Sequence, residues 1–207
     1  MIFERGIYMI FVLASNNKKK LEELERILKP LNIMIKTAEQ LGFELDEVEE
    51  TGQTFAENAE LKAKAACAKT GYPAIADDSG LCVNALDGMP GIYSARYAGE
   101  GATDEMKINK LLAELNKTGS HDRSAYFQCV ICCCFPNGET VFAEGKCEGT
   151  IGYAPRGANG FGYDPVFFVE GNKTFAELSA NQKDVISHRG RALKNLTQIL
   201  SDRQKGI

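Results

Sequence analysis

Two adjacent carboxylates, Asp77 and Asp78, lie between the short apolar runs of residues 74–76 and 81–83. Strand ends and tight turns of α/β proteins display reactive groups, and neighbouring acids raise each other's proton affinity unless a cation intervenes. A divalent metal, with one acid left to activate water, would relieve that repulsion. A hairpin turn, in which Asp-Ser-Gly is selected only for its backbone preferences, explains the same residues. The local sequence leaves both interpretations open.

The composition is that of a folded protein without a strong charge bias. The chain has 207 residues, of which 44% are hydrophobic, and its 24 basic and 28 acidic side chains give a net charge of −4. This length can bury a full core in one domain, or in a domain with two closely joined lobes. Because the net charge is negative, we expect a small phosphorylated ligand rather than a nucleic acid polymer or an anionic membrane.

The sequence gives no indication of a membrane segment. No apolar run approaches the roughly 20 residues that span a bilayer, and Glu4 beside Arg5 is unlike a secretory leader. We therefore expect a cytoplasmic protein.

Three of the seven cysteines are consecutive, at residues 132–134, and neighbours on a strand point to opposite faces. We predict small core residues in a reducing compartment, rather than a zinc site or disulfides.

The elements that position these residues follow the order β-α-β-α, then paired strands, then a helix. Predicted elements are a strand at 10–14, helices at 17–29, 58–69 and 103–115, a hairpin of 124–135 with 139–150, and a last helix from about 187. Thr54 is the expected cap of the second helix. This order predicts an α/β protein with a mixed sheet. Since no internal repeat or low-complexity linker is visible, we expect one domain over residues 9–207, with residues 1–8 as an appendage.

Three helices carry cations where apolar residues are expected. At about 100° per residue, Lys62 falls in an apolar stripe with Asn58 on its flank, Lys20 lies near the inner face of the first helix, and Arg189 follows the leucine line of the last helix. An inward cation requires a counterion. Each side chain alone can instead extend along the apolar stripe to water. The three together favour an anionic ligand.

Three further segments allow both a functional and a structural interpretation. Residues 15–17 follow the first strand and open a helix, so free backbone N–H groups there can hold a phosphate, although no Walker or dinucleotide fingerprint is present. The glycine-rich segment 157–165 offers Phe161 or Tyr163 to stack on a ring, or is a turn whose aromatics fill the core. The acidic run 44–50 is a solvated loop, or supplies Glu49 or Glu50 to a metal.

Seven ordered blocks extend along nearly the whole chain from Met9. They are residues 13–17 with Lys20, 49–52, 54–63, 76–81, 90–97, 161–165 and 187–190. Together they resemble the inosine/xanthosine triphosphate pyrophosphatases, which hydrolyse aberrant purine nucleoside triphosphates to monophosphate and pyrophosphate. The resemblance implies a Mg²⁺-dependent homodimer with an elongated mixed β-sheet, flanked by helices, and two lobes with a nucleotide-binding cleft between them.

The resemblance also implies residue roles. Asp78 would be the general base and a metal ligand, with Glu49 as the second metal carboxylate. The implied phosphate-binding residues are Ser15, Asn16, Asn17, Lys18, Lys19, Lys20 and Lys62. The implied remaining substrate contacts are Ser79, Phe161, Gly162, Tyr163, Asp164, Lys183, His188 and Arg189. The first loop of the family usually reads Thr-Gly-Asn-x-Gly-Lys, whereas Asn16 and Lys19 occupy the glycine positions here.

The expected reaction is attack of water on the α-phosphorus, with Asp78 removing a proton and Mg²⁺ and lysines neutralising the leaving pyrophosphate. Donors directed at the 6-oxo group of hypoxanthine or xanthine would reject adenine, which has an amino group there. One alternative is a pyrophosphatase for modified pyrimidine or standard triphosphates, and another is a nucleotide-sensing module without turnover. An RNA-binding regulator that uses residues 18–20 is disfavoured by the acidic net charge.

Overall fold

A computed structural model describes residues 9–15, 17–28 and 33–205 of the chain. The predicted appendage at residues 1–8 and the predicted phosphate contact Asn16 lie outside the described residues. None of the helices in the described ranges is long and apolar enough to cross a membrane.

The fold is a seven-stranded mixed sheet with helices, as the order of elements predicted. The strands are β1 Met9–Leu13, β2 Ile33–Thr37, β3 Ala74–Val83, β4 Ser124–Cys134, β5 Thr140–Ile151, β6 Phe167–Val169 and β7 Lys173–Thr174. The sheet order is β2-β1-β3-β4-β5-β6-β7. Strand β1 is parallel to β2 and β3, whereas β5 to β7 pair antiparallel. The predicted hairpin of β4 with β5 is confirmed, because Phe135 N donates to Glu139 O at 2.9 Å.

The helices are α1 Lys18–Leu28, α2 Phe55–Thr70, α3 Asp104–Lys117, α4 Ala180–Ile186 and α5 His188–Lys205. Helix α2 begins at Phe55 rather than at the predicted residue 58. The reason is the predicted cap itself, since the Thr54 side chain accepts a hydrogen bond from Glu57 N at 3.2 Å. Gly71, with a φ of 71°, ends the helix in the left-handed conformation that glycine adopts without strain.

Strand β3 is continuous through the carboxylate pair. Residues 74–83 form one ten-residue strand, so the hairpin-turn interpretation of Asp77 and Asp78 is wrong. The strand is buried on both faces along most of its length, and its sequence therefore lacks the alternation of polar and apolar residues that identifies a half-exposed strand. Because of this, the two apolar runs on either side of the carboxylates were interpreted as two short elements, although they belong to one strand.

The chain divides into two compact units. The first comprises the described residues of 1–78, 130–143 and 193–207, and the second comprises 79–129 and 144–192. In the first unit, Ala59, Ala63 and Ala66 of α2 pack in one cluster with Ala74 and Ala76 of β3. Small side chains on both elements allow the helix to lie close to the strand, which brings the polar residues of α2 within reach of Asp78.

The core of the second unit is aromatic. Phe127 contacts Phe167 edge-on, with ring centroids 4.7 Å apart, and stacks on Phe175 at 5.9 Å. Phe167 and Phe175 are fully buried. Leu81 of β3 and Leu111 of α3 belong to the same cluster. Phe127 and Phe175 also contact His188 and Lys183, two residues for which the resemblance implied substrate contacts.

All seven cysteines are buried thiols, as predicted for small core residues. Burial raises the pKa of Cys67 to about 11 and that of Cys132 to about 12, and it raises the pKa of Cys82, Cys133 and Cys147 as well. No group of three or more His, Cys, Asp or Glu side chains suited to hold a metal occurs within residues 9–15, 17–28 and 33–205.

We expect the native protein to react with less than one equivalent of a disulfide reagent such as DTNB at pH 8. A thiol of pKa about 11 is ionised to only about one part in a thousand at that pH, and burial blocks the reagent. All seven thiols should react after unfolding in guanidinium chloride. Rapid reaction of two or more thiols in the native protein would contradict this buried assignment.

Candidate active site

Asp77 and Asp78 point to opposite faces of β3, because consecutive strand residues alternate in direction. Asp77 Oδ1 lies 3.0 Å from Lys20 Nζ of α1. Asp78 follows Ala74 and Ala76 on the face toward α2 and contacts Lys62 of that helix. Each carboxylate therefore has its own lysine. The inward direction of both lysines, predicted from helical periodicity, is confirmed, since their side chains are 17% and 15% exposed.

Both carboxylate oxygens of Asp78 are held by α2. Asp78 Oδ1 lies 3.5 Å from Lys62 Nζ, and Oδ2 accepts a hydrogen bond from Asn58 Nδ2 at 3.2 Å. Lys62 Nζ also donates to Glu50 Oε1 at 2.7 Å. Asn58 and Asp78 are buried, and the side chain of Glu50 is 24% exposed. Two carboxylates thus converge on one largely buried ammonium group.

The charges in this cluster shift each other's proton affinities. Burial raises the pKa of Asp78, the charge of Lys62 opposes that shift, and Glu50 adds to it. Burial acts to lower the pKa of Lys62, but the charge of Asp78 and the other carboxylates outweighs it, so that the pKa is raised. Lys62 is consequently a cation at neutral pH. A buried carboxylate with a raised pKa is a suitable acceptor for a proton from water.

The predicted phosphate loop begins at the end of β1. Ser15 Oγ accepts from Asn17 N at 3.2 Å, and Asn17 Oδ1 accepts from Lys19 N at 3.0 Å and from Lys20 N at 3.3 Å. These N–H groups were predicted to be free, whereas here side-chain oxygens accept from them. An anion at this helix end would take the place of those oxygens. Lys18 and Lys19 are exposed, unlike Lys20.

Two cavities of the first unit contain predicted phosphate contacts. One, of about 660 Å³, is lined by Ser15 and Lys62 together with the 45–48 segment and α2. The other, of about 510 Å³, is lined by Ser15, Asn17 and Lys18. Ser15 lines both cavities. Each cavity has the size that a small ligand occupies, and both lysine and acidic side chains line it.

Of the two glutamates that the sequence offered to a metal, one lies next to Lys62. Glu50 contacts Lys62 and acts on the pKa of Asp78, whereas Glu49 is exposed. Loop residues follow no fixed periodicity, so the sequence could not distinguish these neighbours. The role of Glu49 as a metal ligand stays a prediction.

Four predicted substrate residues of the second unit lie together. Asp164 Oδ2 contacts Lys183 Nζ at 2.7 Å in a buried ion pair, and it also accepts from Phe161 N at 3.0 Å. Lys183 Nζ lies 4.9 Å from the centre of the Phe161 ring, and the Arg189 guanidinium lies 5.8 Å from it. The buried position of Arg189 agrees with the periodicity of α5. Two cations thus flank one aromatic ring that is partly accessible.

Other predicted contacts of this unit are part of its core or its backbone. Tyr163 is buried and donates from its hydroxyl to Ser94 O at 3.0 Å, so this ring fills the core. His188 is also buried and stacks on Phe127 at 4.6 Å. Gly162 N donates to Asp104 Oδ2 at 2.7 Å, and Gly162 has a φ of 61°. Ser79 is partly buried in β3. Sequence reasoning did not identify Asp104, whose position in the first turn of α3 gave no signal of a distant contact.

Comparisons with known proteins show the family of the chain. A model of the Ham1 family matches residues 11–199. The chain belongs to the Ham1 family. The dITP/XTP pyrophosphatase of Bacillus licheniformis is 48% identical over 190 residues, which cover 91% of this chain and 96% of that protein. The corresponding Bacillus subtilis protein, also named dITP/XTP pyrophosphatase, is 45% identical with the same coverage.

Solved Ham1 structures share the fold. The Ham1 protein from Coxiella burnetii superposes with a TM-score of 0.86 at 45% identity, covering 94% of this chain and 99% of that one. The Staphylococcus aureus Ham1 protein gives 0.82 at 45% identity with the same coverage. A nucleoside-triphosphatase / dITP/XTP pyrophosphatase from Mycobacterium abscessus gives 0.73 at 43% identity, covering 91% and 98%. The α/β fold with a mixed sheet flanked by helices and the family, both inferred from the sequence, are confirmed.

Proposed function

We propose that this chain is an enzyme that hydrolyses the non-standard purine nucleoside triphosphates ITP, dITP and XTP to the monophosphate and pyrophosphate. The observation that carries the proposal is the environment of Asp78, a buried carboxylate of raised pKa held by Asn58 and Lys62. The dITP/XTP pyrophosphatase activity named for relatives at 45–48% identity supports the substrate class.

The phosphate groups are proposed to bind to the first unit. Lys20 and Lys62 are partly buried cations, and each is paired with a carboxylate of β3. A triphosphate offers them additional anionic oxygens, and the α1 end offers N–H groups. The proposed contacts are Ser15, Asn16, Asn17, Lys18, Lys19, Lys20 and Lys62.

The proposed chemical step uses Asp78 as general base. Asp78 accepts a proton from a water molecule whose oxygen forms a bond to the α-phosphorus. The bond from that phosphorus to the bridging oxygen of pyrophosphate breaks, and the leaving oxygen keeps the electron pair. Lys62 and Lys20 stabilise the added negative charge.

The donor chemistry of the first unit fits a magnesium ion. Glu50 Oε1 and Asp78 Oδ1 lie 2.7 and 3.5 Å from the same ammonium nitrogen, so two hard oxygen donors already converge on a cation. Enzymes of phosphoryl transfer typically hold Mg²⁺ with one or two carboxylates and the substrate phosphates. We propose Asp78 with Glu50 as the carboxylates. When bound, Mg²⁺ would neutralise phosphate charge.

The predicted ligand Glu49 can be compared directly with Glu50. Glu50→Gln should weaken Mn²⁺ binding to the protein, whereas an exposed Glu49 should contribute little, so that Glu49→Gln binds Mn²⁺ as the wild type does. The reverse result would assign the metal to Glu49.

The nucleoside is proposed to contact residues of the second unit. Phe161, flanked by Lys183 and Arg189, provides a ring face and cationic donors. Donors directed at a 6-oxo group are satisfied by hypoxanthine or xanthine but would face the amino group of adenine. Tyr163 and His188 would act through packing, since both are buried. Ser79, Gly162 and Asp164 complete the proposed set.

A substrate panel tests the proposal. With Mg²⁺ present, ITP, dITP and XTP should release pyrophosphate. ATP and dUTP should react at least about 10²-fold more slowly, because the donors for the 6-oxo group stay unsatisfied. GTP has the same 6-oxo group but also a 2-amino group. The rate with GTP therefore measures how well the site excludes that amino group. Preference for dUTP or ATP would support a different pyrophosphatase. Binding of ITP without pyrophosphate release would support a nucleotide-sensing protein.

We further propose that residues 9–207 act as one catalytic domain, that the protein is a homodimer, and that it acts in the cytoplasm on the nucleotide pool. Light scattering during size-exclusion chromatography tests the dimer. A mass near 23 kDa, close to the 22.7 kDa of the chain, would reject it.

A further inference from the structure

Asn58 joins two separate segments of the site through one side chain. Its amide oxygen accepts from Gly52 N at 2.9 Å, and its amide nitrogen donates to Asp78 Oδ2 at 3.2 Å. The residue is fully buried, on the face of α2 next to the alanine cluster. Burial of an amide is unfavourable unless both of its ends form hydrogen bonds. Here both ends do, one to the loop and one to β3.

Lys62 repeats this bridge one helical turn later. Residues four apart lie on the same helix face, and Lys62 contacts Asp78 Oδ1 and Glu50 Oε1. Two side chains of α2 therefore each connect the 50–52 segment to one oxygen of Asp78. The lysine has a flexible stem, whereas the planar amide of Asn58 restricts both direction and distance.

Gly52 is fitted closely against the same amide. A Cβ atom built at Gly52 would lie 2.6 Å from Asn58 Oδ1 and 2.7 Å from Glu57 Cβ. Both separations are shorter than a side chain tolerates without movement. Larger residues at position 52 would thus displace the segment that carries Glu50.

We propose that Asn58 is a positioning residue, which holds the 50–52 segment against Asp78 so that the carboxylates of Glu50 and Asp78 converge on one divalent cation. The inference rests on the proposed function for the presence of that cation. It adds a residue that does not itself bind the metal but determines how tightly the two carboxylates bind it. Residues that orient metal ligands in this way typically change metal affinity about 10–100-fold when mutated.

The test is Mn²⁺ binding to the full-length protein without nucleotide, followed by the electron paramagnetic resonance signal of free Mn²⁺. Asn58→Leu keeps a similar volume but removes both hydrogen bonds, and we expect its dissociation constant to rise at least about tenfold. Gly52→Ala keeps Asn58 but displaces the loop, and we expect the same direction of change. Amide hydrogen exchange at Gly52 should also be faster in Asn58→Leu.

Thr70→Val is the matched control. Thr70 is another buried polar residue of α2, and its hydroxyl donates to Ala66 O at 2.7 Å. It lies twelve residues after Asn58, or about 18 Å along the helix. This variant should lose stability but bind Mn²⁺ as the wild type does.

Unchanged Mn²⁺ affinity in folded Asn58→Leu would overturn the proposal. If that variant does not fold, Gly52→Ala decides, and wild-type affinity there would overturn it equally. Lack of Mn²⁺ binding by the wild type would also reject it. If the Mn²⁺ results are as expected but the wild type releases no pyrophosphate, the proposed function fails and the role of Asn58 stands.

Discussion

Asp78→Asn should lower the rate of pyrophosphate release from ITP by about 10²–10⁴-fold, the range typical for loss of a general base. The amide cannot accept the proton of the attacking water, and it removes a charge next to Lys62. ITP binding, measured by titration calorimetry, should persist because the proposed phosphate and base contacts are retained. Pyrophosphate is measured by a coupled phosphate assay.

Asp202→Asn is a suitable control for that substitution, since Asp202 is exposed on α5 and bonds only to Gln198 among the side chains described here. Its activity should equal that of the wild type. If Asp78→Asn keeps more than about a tenth of the wild-type rate, a factor well below the usual general-base effect, Asp78 is not the base. The carboxylate on the opposite face, Asp77, would then be the next candidate.

Lys183→Met should lower the free energy of unfolding by about 3–5 kcal/mol, as expected when one partner of a buried ion pair is removed. The side chains of Lys183 and Asp164 are 8% and 4% exposed, and Lys183 Nζ lies 2.7 Å from Asp164 Oδ2. Without the ammonium group, the Asp164 carboxylate remains buried without that positive charge. Urea unfolding in the absence of nucleotide measures the loss independently of catalysis.

The matched control for this prediction is Arg203→Gln. Arg203 and Glu139 also form an ion pair, with a distance of 2.8 Å, but both side chains are more than 40% exposed. Its loss should have little effect on the free energy of unfolding, because solvent screens an exposed ion pair. In the double variant Asp164→Asn/Lys183→Met, much of the stability should return, because no charge is then buried alone. A cost for Lys183→Met as small as that for Arg203→Gln would contradict the buried-pair argument.

The inward cations were the part of the site that the sequence predicted best. Lys20, Lys62 and Arg189 belong to helices of at least eleven residues, in which the 3.6-residue period fixes the direction of each side chain. Lys183 lies in the seven-residue helix α4, which is too short for such an argument. Only the family resemblance indicated it.

Features that depend on distant contacts could not be predicted in the same way. The sequence identified Asn58 as a residue flanking an apolar stripe, but its bond to Gly52 depends on the path of a loop. The choice between Glu49 and Glu50 depends on that path as well. Tyr163 was expected either to stack on a ligand or to fill the core, and only the packed structure placed it in the core.

The alternation of Asp77 and Asp78 makes the length of β3 critical. Deletion or insertion of a single residue ahead of the pair would reverse the sides to which all following side chains point. Asp78 would then face α1, and Asp77 would face α2. Point substitutions in this strand change one contact at a time, whereas a register slip exchanges the partners of both acids together.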